Sequence, residues 1–179
     1  MQEISKDILI RAKKGEVEAF EYILSFYEKA IFNYCLRMTK NVQLAKDITQ
    51  ETFIKVYTHR KTIDENKNIK TWIFTIATNT AYDFLRSKKR KNEISLEEEN
   101  ETISSLEAYY PEEGLVSDIE KALSNINPEY KKVLLLFYQQ GFKYEEIAKI
   151  LGMPVNTVKT HISRGKEELK AKLKGYGSR

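Results

Sequence analysis

Residues 142–173 read FKYEEIAKILGMPVNTVKTHISRGKEELKAKL, and this stretch decides the architecture of the second half of the chain. A short helix with Ile147, Ala148 and Leu151 facing inward meets a turn at Gly152, and a second helix begins near Pro154. That is the layout of a helix-turn-helix. At about 100° per residue, Val155, Val158, Ile162 and Leu169 share the packing face of the second helix. Asn156, Thr160, Ser163 and Arg164 point away and carry groups that hydrogen-bond to base edges, with Thr157 beside them. Lys159, Lys166 and Lys170 form an adjoining stripe suited to phosphates, which position a helix without reading sequence. Glu167 would oppose phosphate, so contacts should concentrate in the first two turns. A helical hairpin with a solvated lysine face has the same periodicity, but the Ala, Gly and apolar spacings all agree on the helix-turn-helix.

Upstream, Asn127 and Pro128 form a helix start and Gly141 a stop. Before them lies an unusual segment. From Asn92 to Glu120 there are ten carboxylates and no Lys or Arg, which leaves 16 acids against 30 bases in the rest of the chain. With Pro111, Ser and Asn clusters and no sustained helical period, it reads as a linker over 93–116 between block 1–92 and block 117–179. The strongly basic remainder suits a polyanionic partner such as nucleic acid.

The first block reads as four helices: Ser5 to Lys14 closed by Gly15, Glu16 to Lys40, Asn41 to about Thr58, and Ile69 to Arg90, with the polar loop Arg60 to Asn68 before the last. No segment alternates as a strand does, so the expected fold is all-α, two small helical domains joined by an acidic linker. On the third helix Ala45, Ile48, Thr52 and Val56 face inward, while Asp47, Gln50 and Glu51 surround Ile54 on the other side. An isoleucine ringed by acceptors suits a docking surface, although a scattered surface isoleucine is also common. On the fourth helix Ile69, Ile73, Ile76, Ala77 and Phe84 face inward. The outer face collects Thr71, Thr75, Thr78, Asn79, Tyr82 and Arg86, is read as free of carboxylates, and is extended by Arg86, Lys88, Lys89, Arg90 and Lys91. Trp72 borders this face and either packs or stacks.

The remaining features exclude other classes. The lone Cys35 in an apolar run rules out an intrachain disulfide or cysteine zinc site and reads as a buried core thiol. No stretch approaches a membrane span or a signal peptide's apolar run, so the chain is expected in the cytoplasm, with no membrane insertion of its own. His59 and His161 are far apart and no phosphate-cradling glycine loop is present, so neither an enzyme nor a cofactor is expected. A stand-alone helix-turn-helix regulator would need a dimer interface or ligand pocket, and the first block offers a docking helix and a polar face in their place.

DITQETFIKVY and IKTWIFTIATNTAYDFLRSKKRK resemble the second conserved region of RNA polymerase sigma factors, and EEIAKILGMPVNTVKTHISRGKEEL resembles the fourth. The two matches occur in the family's order, with only a short linker between, as in the extracytoplasmic-function group. That resemblance implies an alternative sigma factor that binds core RNA polymerase, through its beta and beta-prime subunits, and promoter DNA, with an anti-sigma factor as a further partner. It implies polymerase docking by Asp47, Gln50 and Glu51, with Ile54 among them. It implies capture of a flipped minus-ten base by the loop at about Ile63 to Asn68, with Asp64, Glu65, Asn66, Lys67 and Asn68 as its polar residues. Trp72, Thr75, Asn79, Tyr82, Arg86, Lys88, Lys89 and Arg90 would flank it, and Asn79 is expected as the pocket floor. The minus-thirty-five duplex would fall to Asn156, Thr157, Lys159, Thr160, Ser163, Arg164 and Lys166. The loop is more charged than is usual in that family, so no base preference is carried over. The acidic linker is expected to thread toward the RNA exit path and mimic RNA there.

Overall fold

A computed structural model describes residues 4–90 and 115–174, and these residues form helices and the turns between them. Helix α1 (Lys6–Lys14) starts where Ser5 Oγ accepts the Ile8 N–H at 3.4 Å and stops at Gly15, whose φ of 93° lies in the left-handed region that glycine adopts without strain. Helix α2 (Val17–Thr39) runs along the bundle, and Asn41 Oδ1 caps α3 (Val42–Thr58) by accepting the Leu44 N–H at 2.8 Å. A single 3₁₀ turn, Arg60–Thr62, leads through the loop to α4 (Ile69–Arg90). Ile23, Ile31, Tyr34, Leu36, Ile48, Val56, Ile73 and Phe74 fill the space between α2, α3 and α4. Each such side chain contributes about 1.5–3 kcal/mol by leaving water. Cys35 is buried among them and its thiol is pushed up to about 12 by desolvation, as a core thiol should be. Thr49 and Thr52, buried on the same face, return their hydroxyls to the carbonyls of Ala45 and Ile48 at 2.7 Å, so they add no unsatisfied polar group.

The second bundle holds α5 (Leu115–Ser124), α6 (Pro128–Leu134) with a π turn over Leu135–Gln139, α7 (Tyr144–Leu151) and α8 (Val155–Lys174). Asn127 Oδ1 caps α6 at the Glu129 N–H, and Gly141 and Gly152, both at positive φ, turn the chain after α6 and α7. Helix α5 was not expected from the sequence. Ile119, Ala122 and Leu123 recur in it at helical spacing, and Ala122 is fully buried. The acidic residues 93–114 lie outside the described residues, as do the side chains of Lys88, Lys89 and Arg90.

The two bundles share one hydrophobic core through α4 and α7. Phe74 and Phe142 meet edge to face at 5.1 Å, and Arg37 on α2 pairs with Glu120 on α5 at 2.6 Å with both side chains about four-fifths buried. Lys70 donates to the Gln140 carbonyl and lies over the Phe142 ring at 4.5 Å. Among the described residues no helix is long and apolar enough to cross a membrane, and no group of His, Cys, Asp and Glu is placed to hold a metal.

Candidate nucleic-acid interface

Helix α8 is held from behind. Val158 and Ile162 are buried against α6 and α7, and Gly165 is buried where an added Cβ would lie 3.0 Å from both Tyr130 Cβ and Leu134 Cδ1. This close approach fixes the helix and leaves Asn156, Lys159, Thr160, Ser163 and Arg164 exposed away from the contact, with Thr157 half-buried at their edge, while the exposed Lys166 stands on the flank beside Leu169 and Leu134. Val155, expected on the packing face, is only half-buried because it is the first residue of the helix. Thr160 donates its hydroxyl to the Asn156 carbonyl at 2.9 Å, which leaves it an acceptor toward a base. Glu168 turns back to accept the Asn127 N–H at 3.2 Å and so anchors the far end of α8 to the start of α6.

On α4 the structure divides the expected outer face. Asn79 and Arg86 are exposed, Trp72 and Thr75 half-buried, and Thr75 bonds its own helix at the Thr71 carbonyl, 2.8 Å away. Thr78 does not belong to this face: it is buried and donates to Tyr34 Oη at 3.2 Å, since α2 crosses α4 there and needs a partner for its buried phenol. Nor is the face free of carboxylates, because Asp83 is exposed four residues after Asn79. Tyr82 is half-buried with Lys132 of α6 over its ring at 4.7 Å, and burial pushes its hydroxyl pKa up.

The loop is an organised turn. Asp64 accepts the Asn66 N–H at 3.0 Å and pairs with Lys67 at 3.1 Å; the backbone bond first and the lysine second hold its carboxyl below the usual range. Ile63 and Ile69 are buried at its two ends, and Asn68 Oδ1 caps α4 at the Lys70 N–H, 2.9 Å away. Beside it opens a cavity of about 280 Å³ lined by Lys6, Leu9, Tyr27, Asn66, Lys67 and Ile69 among others. Asn79 does not line this cavity: it stands exposed ten residues along α4, about 15 Å beyond Ile69 at the helical rise. The lining draws instead on Lys6 and Leu9 of α1 and Tyr27 of α2, which spacing along α4 alone does not reveal.

Two of these polar groups meet the second bundle. Asn68 Nδ2 donates to Glu146 Oε1 at 2.9 Å, and Thr71 Oγ1 donates to the same oxygen at 3.4 Å. Glu146 Oε2 also accepts the Lys143 N–H at 2.9 Å, capping α7.

Helix α3 places Ala45, Ile48, Thr52 and Val56 inward, fully buried, and leaves Ile54 53% exposed. Ile54 and Gln50 line a largely apolar groove of about 810 Å³ with Phe20, Leu24, Phe32 and Phe53. Asp47 and Glu51 do not line it: Asp47 accepts from Gln43 at 2.9 Å and Glu51 faces Lys55 at 3.8 Å. The isoleucine is therefore part of a continuous apolar surface, a signal carried by α2 as much as by α3. A second apolar groove, about 710 Å³, runs between α5, α6 and α8 and includes Ile119, Leu134, Tyr138 and Leu169.

Comparison with known proteins agrees with this division. Residues 25–91 match the family described as Sigma-70 region 2 and residues 117–169 that described as Sigma-70, region 4. The chain is 34% identical to the ECF RNA polymerase sigma factor SigW of Bacillus subtilis (strain 168), over 97% of this chain and 99% of that protein. In fold it resembles the sigma factor RpoE solved in complex with the anti-sigma factor NepR from Bartonella quintana, with TM-score 0.72, 23% identity and coverage of 88% of this chain and 98% of that one. It likewise resembles CnrH solved in complex with the cytosolic domain of CnrY, with TM-score 0.73, 19% identity and coverage of 96% and 97%. With a region 2 bundle, a region 4 helix-turn-helix and a full-length relative at that identity, the chain belongs to the extracytoplasmic-function RNA polymerase sigma factors, which direct promoter-specific transcription initiation.

Proposed function

We propose that this sigma factor docks on core RNA polymerase through the α2–α3 groove, captures one unpaired minus-ten base beside the loop 63–68, and reads the minus-thirty-five duplex with α8. The observation that carries the reading is the coexistence of two unlike surfaces: an exposed, lysine-flanked helix of major-groove size on the second bundle, and a cavity of about 280 Å³ beside a polar loop on the first. A groove-reading helix needs paired bases, whereas a cavity of that size takes one base out of the stack. At the docking surface, the exposed Ile54 and the aromatic groove supply apolar area while Asp47, Gln50 and Glu51 supply acceptors beside it. The protein itself catalyses no reaction in this scheme and works in the cytoplasm, where the polymerase is.

The contact between the bundles belongs to this proposal. Glu146 occupies the donors of Asn68 and Thr71, and Lys70 is engaged with Gln140, so minus-ten DNA must displace the second bundle to reach them. Core polymerase, by binding each bundle separately, supplies that separation. An anti-sigma factor, like the NepR found in complex with RpoE, would act by retaining the closed form. The test is a comparison of promoter binding by the chain alone and with core polymerase: sequence-specific binding should require the polymerase. Tight, specific binding by the chain alone as a dimer would instead establish a stand-alone regulator.

A further inference from the structure

The charges of the loop have partners, and half of those partners lie on a helix with no role assigned so far. Lys6 Nζ donates to Asn66 Oδ1 at 3.0 Å, and Lys13 pairs with Glu65 at 3.4 Å, so the two ends of α1 grip two consecutive loop residues. The grip is built on a rigid helix. Leu9 and Ala12 bury its inner face, and at its C-terminus Gly15 lets Arg60, the first residue of the 3₁₀ turn, approach to 3.3 Å of where a Cβ would stand. Arg60 also donates to the Tyr57 carbonyl at 3.0 Å and lies over the Tyr57 ring at 4.3 Å, which fixes the root of the loop. Backbone bonding within the turn, and then Lys13, hold the Glu65 carboxyl below its ordinary range. Asp64 and Glu65 are thus neutralised locally by Lys67 and Lys13, so the acidic loop is compatible with nearby phosphates.

We propose that α1 is the back wall and splint of the base-capture cavity, with Lys6 and Lys13 as positioning residues that set which base the loop accepts; this rests on the assignment of the loop to a flipped minus-ten base. Leu9, Ile69 and Tyr27 offer an apolar wall to the face of a base. The polar edge is rich in donors. With Oδ1 taken by Lys6, Asn66 presents Nδ2, and the Lys6 ammonium retains two further N–H groups. The carboxylate of Glu65, which also lines the cavity, is held by Lys13. Such an edge matches a base with two adjacent acceptors, O2 and N3 of cytosine or O6 and N7 of guanine. It disfavours adenine and thymine, whose edges alternate donor with acceptor.

The experiment uses holoenzyme reconstituted from the full chain and core polymerase, with single-stranded non-template oligonucleotides carrying each of the four bases at every minus-ten position in turn. At one position the wild type should prefer cytosine or guanine by about tenfold, the scale of one bidentate contact. Lys6→Ala should compress that preference to about twofold at that position alone, Lys6→Arg should restore it, and Lys13→Ala should raise binding of adenine there by freeing the Glu65 acceptor. A uniform loss of affinity for all oligonucleotides, or an unchanged profile in Lys6→Ala, would overturn the role of α1. Asn66→Ala separates the two levels: if it flattens the profile while the lysine variants do not, only the splint fails. If Asn66→Ala changes nothing, the assignment of the loop itself fails.

Discussion

Gly165 shows how one residue sets the pose of a whole reading surface. Its Cα–H side faces Tyr130 and Leu134 so closely that α6 and α8 touch there without an intervening side chain. Alanine would gain about 1 kcal/mol of helix propensity, but crowding a packed contact costs about 1–3 kcal/mol, and the Tyr130 Cβ cannot swing aside as a side-chain tip can. Gly165→Ala should therefore destabilise the chain by about 1 kcal/mol in chemical denaturation, and weaken minus-thirty-five duplex binding by holoenzyme by tilting α8. On the outer side of the same helix, residues divide by what their geometry lets them touch. Arg164→Ala should cost about 1–3 kcal/mol at one base position and relax preference there, whereas Lys159→Ala should weaken all duplexes alike and flatten the salt dependence. A competition assay over single-base variants at two salt concentrations distinguishes the two patterns, and equal sequence-blind losses would reduce Arg164 to a phosphate contact.

At the scale of the element, α3 carries two unlike faces on 17 residues, and the outer one is only half of a surface. Asp47 and Glu51 stand outside the apolar groove that Gln50 and Ile54 line, so charge and apolar area should act separately in docking. Ile54→Ser should weaken core polymerase binding through lost apolar area without affecting helicity. Asp47→Lys with Glu51→Lys should weaken it further, with the largest deficit at low salt where the new repulsion is least screened, as measured by titrating labelled core enzyme; unchanged affinity in both would remove α3 from the interface. This helix was legible because its caps and its period of 3.6 are both local properties: Asn41, then Ala45, Ile48, Thr52 and Val56. The groove was not, because Phe20, Leu24 and Phe32 come from α2, and no spacing along α3 reports what crosses it. The same reason explains Thr78, whose outward-looking position is buried by Tyr34, and the loop cavity, whose wall is α1. Helix α5 is a different case: it begins inside the stretch read as a linker, although Ile119, Ala122 and Leu123 stand at helical spacing and the period is present in the sequence. Faces of single helices can be read from sequence, whereas sites made by two helices require the packing.

For the whole molecule, the question is what holds the bundles together and what opens them. Part of the contact is favourable: Phe74 on Phe142, Arg37 on Glu120, and Lys132 over Tyr82. Part of it opposes closure. Lys131 of α6 is buried with Arg37 of α2 and Lys40, just past that helix, as neighbours and Glu120 of α5 as the opposing charge, and its pKa falls to about 7, first through desolvation and then through Lys40. A lysine whose pKa is depressed in the closed form and ordinary in the open form binds fewer protons when closed. Between about pH 7 and its ordinary value near 10.5, rising pH therefore favours closure, and below about pH 7 both forms are protonated and the dependence disappears. Near neutral pH the chain thus sits at the start of this window, with the buried ammonium working against the closed form. Fluorescence energy transfer between labels at Lys61→Cys and Lys149→Cys measures the distance between bundles directly, since the buried, high-pKa Cys35 does not compete for the dyes. Transfer should change toward a single closed population as pH rises from 7 to 9. In Lys131→Met, which keeps the apolar stem and removes the charge, the closed population should already dominate at pH 7 with no slope above it, and binding to core polymerase should weaken because opening costs more. If Lys131→Met leaves both the pH slope and polymerase affinity as they are, the lysine is not the residue that biases opening, and the balance must rest on the Arg37–Glu120 pair and the aromatic contact.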